Sequence, residues 1–370
     1  MNIPFQKPGA PRLQTGLSLI ELMIAMALGL ILTLGVVQIF LGSSQTYRLE
    51  DSLGKVQENI RFSLGTLQHN ARMAGHFGCL IGEPGSQLNQ SHATYDPIVY
   101  ENPGVIGWEA TGTGLGNSFT ITTLAAAGTA WSNGSGDAIP AAIQGDIIPG
   151  TDFLVVSGAR RAGVTLSGNP GSPANSINTA GITGIPSGTI ITVVASDCGG
   201  GEMFQKTNAA NAVGGGLSKG SGGAPGNINP SGGFNGEYDD EADVFTFTST
   251  AYFIGEGASG EPALFRERLD PGNGAGAVEL AEGVENMQIL YGVSGGADRS
   301  ADSYVTAANV TNWDQVVSVR MALLFRTGDT LTDVAEARNF NLAGTQITTQ
   351  SDQRSRVVGL STAGIRNRLE

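Results

Sequence analysis

An apolar run near the start of the chain constrains it most. From Leu17 to Gly42 the sequence reads LSLIELMIAMALGLILTLGVVQIFLG, 26 residues without proline and with Glu21 as the one ionisable side chain. As a helix this run extends roughly 39 Å, longer than the bilayer's hydrocarbon core of about 30 Å, so a transmembrane helix is expected over 17–42. The preceding residues 1–16, MNIPFQKPGAPRLQTG, are polar, basic and interrupted by proline. They cannot form the apolar core of a secretory signal, whose small-residue cleavage site follows its apolar stretch. Here the punctuated junction, Gly16, comes before it. Lys7 and Arg12 precede the run while Arg48, Lys55 and Arg61 follow it, so basic residues alone leave the orientation open. A plain uncleaved anchor is the alternative to a segment freed at Gly16.

Glu21 separates these readings. A carboxylate in an apolar helix costs roughly 2.5–3.5 kcal/mol near the bilayer centre and less near the interface, and a mere anchor gains nothing from it. The hexapeptide Gly16-Leu17-Ser18-Leu19-Ile20-Glu21 resembles the class III signal of type IV prepilins and pseudopilins. The resemblance implies that prepilin peptidase removes a cytoplasmic leader after Gly16 and that Leu17 becomes the N-methylated terminus. Glu21 is then the fifth mature residue. Its carboxylate can pair with the terminal amine of an adjacent subunit in a low-dielectric bundle, which would set the axial register. Snorkelling to the cytoplasmic interface is the alternative for Glu21. The implied localisation is single-pass in the inner membrane, with the N-terminus cytoplasmic and the following domain periplasmic, then in the pilus at the cell surface. Inner-membrane lipid is thus a partner. Gly29 and Gly35 are weak points of this helix, and Gln38 stands where the family often has proline.

Residues 43–73 continue as an amphipathic helix. Leu49, Leu53, Val56, Ile60, Leu64, Leu67 and Ala71 recur in steps of three or four, the period of one helical face. Phe62 falls off the stripe. Gly54 and Gly65 weaken the helix, and Gly75 and Gly78 are its expected stops. Beyond them lies an exported β-rich domain, 74–370, where alternation replaces helical spacing. Phe245, Phe247, Ala251 and Phe253 form one such series, and Val317, Val319, Met321, Leu323 and Phe325 another. Further strands are expected near 118–124, 152–158, 188–196, 263–268 and 285–293. The fold class is therefore α+β: a long N-terminal helix packed on an antiparallel β-sheet domain. The glycine-rich stretch 199–236 reads as a mobile insertion.

Two cysteines, Cys79 and Cys198, are too few for a zinc cage and too distant for a CxxC pair. A disulfide between them is expected in an exported chain, with two separate buried thiols as the alternative. Acidic residues outnumber basic ones by 33 to 20, so no nucleic-acid partner is expected. Loss of residues 1–16 removes Lys7 and Arg12 but no acid, shifting the formal charge from −13 to −15.

Several segments resemble the PilW-type minor pilins: QENIRFSLGTLQHNARMAGHFGC at 57–79, GVENMQILYGV at 283–293, NWDQVVSVRMALLFR at 312–326 and IRNRL at 365–369. This resemblance implies a low-abundance subunit that initiates type IV pilus assembly. Its partners would be the other minor and major pilins and, at the tip, an adhesin. A pseudopilin of type II secretion is the nearest alternative, and a tip-exposed binding module is another.

Motifs for chemistry do not assemble. Gly112-Thr113-Gly114-Leu115-Gly116 leads into a strand pattern instead of a helix, and Gly359-Leu360-Ser361-Thr362-Ala363-Gly364 misses the nucleophile-elbow spacing. His69, His76 and His92 lack zinc spacing. Asp239, Asp240, Glu241 and Asp243 lack the order of a calcium loop. Trp313, Arg320, Arg366 and Arg368 suit either partner interfaces or the core and its surface. No catalytic, cofactor-binding or metal residue is assigned, and the chain is not read as an enzyme.

Overall fold

A computed structural model describes residues 16, 18–122, 130–167, 174–212, 215–271, 276–296, 300–328, 330–331 and 334–369. The leader through residue 15 and the expected terminus Leu17 lie outside the described residues. The chain divides into two units, Met1–Ser52 and Leu53–Glu370.

Helix α1, Leu19–Arg72, is unbroken at its five interior glycines, Gly29, Gly35, Gly42, Gly54 and Gly65. In the first unit every residue from Leu19 to Ser43 is exposed. Leu49, expected on the buried stripe, is 38% exposed. In the second unit the stripe is real: Val56, Leu67 and Ala71 are buried, and Ile60 and Leu64 pack on the same core. Phe62 points away from it, 49% exposed. After Arg72 the chain turns through Gly75 and Gly78, at φ 68° and 71°, a left-handed conformation that glycine adopts without steric cost. The Gly75 amide donates to Ser157 O at 2.9 Å, fixing the helix exit to the sheet.

The strands are β1 (Val105–Ala110), β2 (Ser118–Thr120), β3 (Phe153–Arg161), β4 (Ile190–Val194), β5 (Gly201–Gln205), β6 (Asp243–Glu256) and β7 (Pro262–Arg268). They continue with β8 (Val278–Glu282), β9 (Val284–Val293), β10 (Ser303–Val305), β11 (Val316–Arg326), β12 (Asn339–Leu342), β13 (Thr345–Thr348) and β14 (Arg356–Gly364). The large sheet runs β5-β4-β6-β3-β1, with the short segments Gly85–Ser86 and Trp131–Ser132 at its ends and β7 and β8 branching from β6. A second sheet has the order β10-β9-β11-β14, and a third β12-β13-β2. The α+β class holds, with two refinements. The domain has several sheets, and two pairings, Gly85–Ser86 with β5 and β13 with β2, are parallel.

Strand β6 organises the large sheet. Its first residues pair with β4, its middle with β3 and its last part with β7. Thr246, Thr248 and Thr250 are half-buried while Phe245, Phe247 and Ala251 are buried, which is the alternation the sequence displays. The core joins the α1 stripe to Trp108, Phe153, Met287, Tyr291, Met321 and Phe325. Trp108 stacks on Phe153 at 4.8 Å between ring centroids.

Within the stretch 199–236 the described residues include regular structure. Gly201–Gln205 is a strand of the large sheet, and Leu217–Ser218 pairs with Ser176–Ile177. Glu202 organises what lies between. Its carboxylate accepts from the amides of Asn235 and Gly236 at 3.0 and 3.1 Å and from the Tyr238 hydroxyl at 2.9 Å. Two lysines are fully buried here. Lys206 Nζ donates to Asn208 O at 2.5 Å, and Lys219 Nζ donates to Gly233 O at 2.8 Å and Gln87 Oε1 at 3.1 Å. Carbonyl groups gathered on buried cations order this segment, and composition does not reveal them.

Candidate assembly site

Helix α1 begins with a cap. The Ser18 Oγ accepts from the Glu21 amide at 3.2 Å, and Leu22 N donates to Ser18 O at 3.1 Å. Ser18 is thus the N-cap and Glu21 the third helical residue, the S-x-x-E spacing of a capping box. A carboxylate in the first turn also opposes the positive end of the helix dipole. The sequence reading missed this local role of Glu21, although the spacing displays it. Gly16, two residues before the cap, is exposed.

The helix surface after the cap is apolar and uncovered. Ile20 is 68% exposed and Ile39 75%, and α1 is long and apolar enough to cross a membrane. Backbone carbonyls at the glycines are engaged: Thr33 Oγ1 donates to Gly29 O at 2.9 Å and Thr46 Oγ1 to Gly42 O at 3.0 Å.

In the second unit, Cys79 and Cys198 form a disulfide with a Cα–Cα distance of 5.5 Å. It ties the segment leaving α1 to the turn between β4 and β5. That turn is tight, with Cys198 N donating to Ala195 O and Ala195 N to Gly200 O, both at 2.9 Å. The C-terminus returns to the same exit. Asn367 Nδ2 donates to Gly75 O at 2.6 Å, and Arg368 donates to the carbonyls of Val316, Trp313 and Pro103. Trp313 is 5% exposed and meets the Tyr291 ring edge-on at 4.8 Å. Trp313 and Arg368 therefore belong to the core and its closure, whereas Arg366 is exposed and Arg320 half-buried.

Other sequence candidates fall into structural settings. His69 and His76 line one groove of about 630 Å³ with Arg160, Arg161 and Asp243, while His92 lies elsewhere, bonded to Thr94 at 2.9 Å. Asp243 pairs with Arg161 at 2.5 Å, and Asp239 accepts from Ser196 Oγ at 2.7 Å. Among the described residues no cluster of three or more His, Cys, Asp or Glu is arranged to hold a metal ion. Ser361 sits within β14, and Gly112–Gly116 forms a turn before β2.

Residues 251–367, from the end of β6 to the C-terminal closure, match the type IV pilus-assembly protein W family. Residues 11–37 match the prokaryotic N-terminal methylation motif. No curated protein is a significant sequence match. Among solved structures, a type IV-like pilin from Thermus thermophilus is similar at 15% identity and a TM-score of 0.21, over 50% of this chain and 86% of that one. The chain thus carries, behind an N-terminal methylation motif, a C-terminal region that matches the type IV pilus-assembly protein W family.

Proposed function

We propose that this chain is a minor pilin that initiates type IV pilus assembly at or near the pilus tip. In this reading residues 1–16 are a cytoplasmic leader removed by prepilin peptidase, Leu17 is the methylated terminus, and the domain after the membrane helix is periplasmic before it enters the pilus. The observation that carries the reading is the capped apolar segment of α1, exposed from Leu19 to Ser43 and beginning three residues after Gly16. Such a surface is satisfied by lipid before assembly and by the helices of other pilins after it. Glu21 has two successive roles here. It stabilises the helix start in the single subunit, and it pairs with the terminal amine of an adjacent subunit in the bundle.

The size of the second unit supports a terminal or rare position, because a domain of more than 300 residues on every subunit would crowd a filament. The test uses a host lacking this chain, complemented with wild type or with Gly16→Ala. Wild type restores surface pili, whereas Gly16→Ala accumulates as a membrane precursor and leaves pili scarce. Full piliation by an uncleaved Gly16→Ala chain contradicts the proposal.

A further inference from the structure

Among the described residues, strand β14 ends its sheet with no neighbour beyond it. It pairs with β11 over its whole length, Arg356–Gly364. Bonds just outside the register fix which backbone groups face that partner: Ile365 N donates to Val317 O, and Thr327 N to Ser355 O, both at 2.9 Å. By the alternation of an antiparallel ladder, Val357, Gly359, Ser361 and Ala363 are bonded to β11. Val358, Leu360 and Thr362 turn their amides and carbonyls to the open side. Among the described residues one of these groups is engaged, Thr362 O, which accepts from Gln68 Nε2 at 3.4 Å.

Other sheet ends are protected in the ways expected of exposed edges. Strands β2, β10 and β12 have three or four residues, and the large sheet ends in two-residue segments. The edge strand β8 carries two exposed carboxylates, Glu279 and Glu282. By contrast, residues 357–364 of β14, VVGLSTAG, contain no charge and no proline.

An apolar groove adjoins this edge. Gly359 faces α1, since a Cβ there would lie 3.0 Å from Leu64 and 3.1 Å from Ile60. Val358 and Leu360 therefore face the opposite side of the sheet. There the third sheet packs against Leu324 and Val358 but leaves Leu360 60% exposed. With Leu115 and Leu290 it lines a groove of about 480 Å³. Arg320 closes one wall, its guanidinium 3.8 Å from the Tyr304 ring centre. Among the described residues no carboxylate pairs with it.

We propose that β14 is the docking edge for an extended segment of a neighbouring exported pilin subunit, which adds as a further strand. That segment is apolar over Leu360 and Leu115 and acidic where it reaches Arg320. The free amides call for an extended backbone, and the unpaired guanidinium calls for a carboxylate. This rests on the assembly role proposed above.

The test places a photo-cross-linking residue at position 360 of the full chain in its piliated host, with position 278 on the β8 edge as control. The expected product at 360, absent at 278, contains a second, different pilin subunit. Thr362→Pro removes an outward amide and no bond to β11, so the chain remains folded and processed while the product falls roughly tenfold. Arg320→Glu, which leaves the ladder intact, lowers the product similarly. An unchanged product in both variants, a product containing only this chain, or no product in piliated cells overturns the docking edge. If pili require Gly16 but tolerate both edge variants without loss of assembly or product, the edge proposal alone fails. If pili also form normally with Gly16→Ala, the assembly role fails.

Discussion

Glu285 on β9 and Arg356 on β14 meet through two contacts, at 2.6 and 3.0 Å, with side chains only 3% and 1% exposed. They lie on either side of β11, which adds Arg326 to the same carboxylate at 3.3 Å. Arg356 also binds Asp352 at 2.7 Å, while Arg326 and Arg354 both bind Glu261. Breaking a buried pair leaves one charge uncompensated, at a cost of about 3–5 kcal/mol. Arg356→Leu is therefore expected to lower the unfolding free energy of the full chain in detergent by that amount, measured by chemical denaturation. Replacing both partners with apolar residues is expected to cost less than replacing Arg356 alone.

The same network gives stability a pH dependence. Burial raises the Asp352 and Glu261 carboxyls, but their arginines outweigh it and leave both below their ordinary values of 3.8 and 4.5. Their contribution is full above those values and is lost as pH falls through the depressed ones. Asp152 acts in the opposite direction. Burial pushes it up to about 8, despite amide hydrogen bonds from Ala110 and Ile289. The folded state keeps a proton that the unfolded state releases, so this contribution declines as pH rises from 3.8 towards 8. Thermal unfolding across pH is expected to show maximal stability in mildly acidic buffer, with loss on both sides. Stability that rises steadily to pH 8 contradicts the Asp152 assignment.

The Cys79–Cys198 bond spans 119 residues of sequence. A loop of this length gives a stabilisation of roughly 2–5 kcal/mol, chiefly through the unfolded chain. The double substitution Cys79→Ser with Cys198→Ser is expected to lower stability by that amount without changing the secondary structure seen by circular dichroism. Unchanged stability would show that the bond adds nothing to the fold.

Lys219 tests the order of the glycine-rich stretch. Its ammonium serves Gln87 Oε1 and Gly233 O and lies 5.1 Å from the Phe234 ring centre. Lys219→Met leaves buried acceptors without a donor, at about 1–3 kcal/mol. Faster amide exchange is expected over 215–236, with α1 and β11 protected as before. An unaltered exchange pattern would mean that the lysine does not order this segment.

The sequence made the helix and the alternating strands visible for a physical reason. Val56, Ile60, Leu64 and Leu67 share one helical face, and the polar face of β6 separates its buried phenylalanines. Strand β1 is buried at all six positions and shows no alternation to read. Strand β14 carries an interior glycine, Gly359, and a terminal one, Gly364, which break its pattern. The order of 199–236 depends on Glu202, Lys206 and Lys219 reaching carbonyls and amides that composition does not locate. At the candidate site, Gly16 and Glu21 are legible as a junction and a lone carboxylate in an apolar run, whereas the cap at Ser18 depends on where the helix starts. The free edge of β14 was illegible because it depends on which strands lie beside it.

Processing after Gly16 would leave Leu17 as the N-terminus of the mature chain. Mass spectrometry of the protein from sheared pili and from membranes of the native host tests it most directly. The expected pilus form begins at Leu17 with one methyl group on its terminal amine. A pilus-associated chain that retains residues 1–16, or that begins at another residue, contradicts the account.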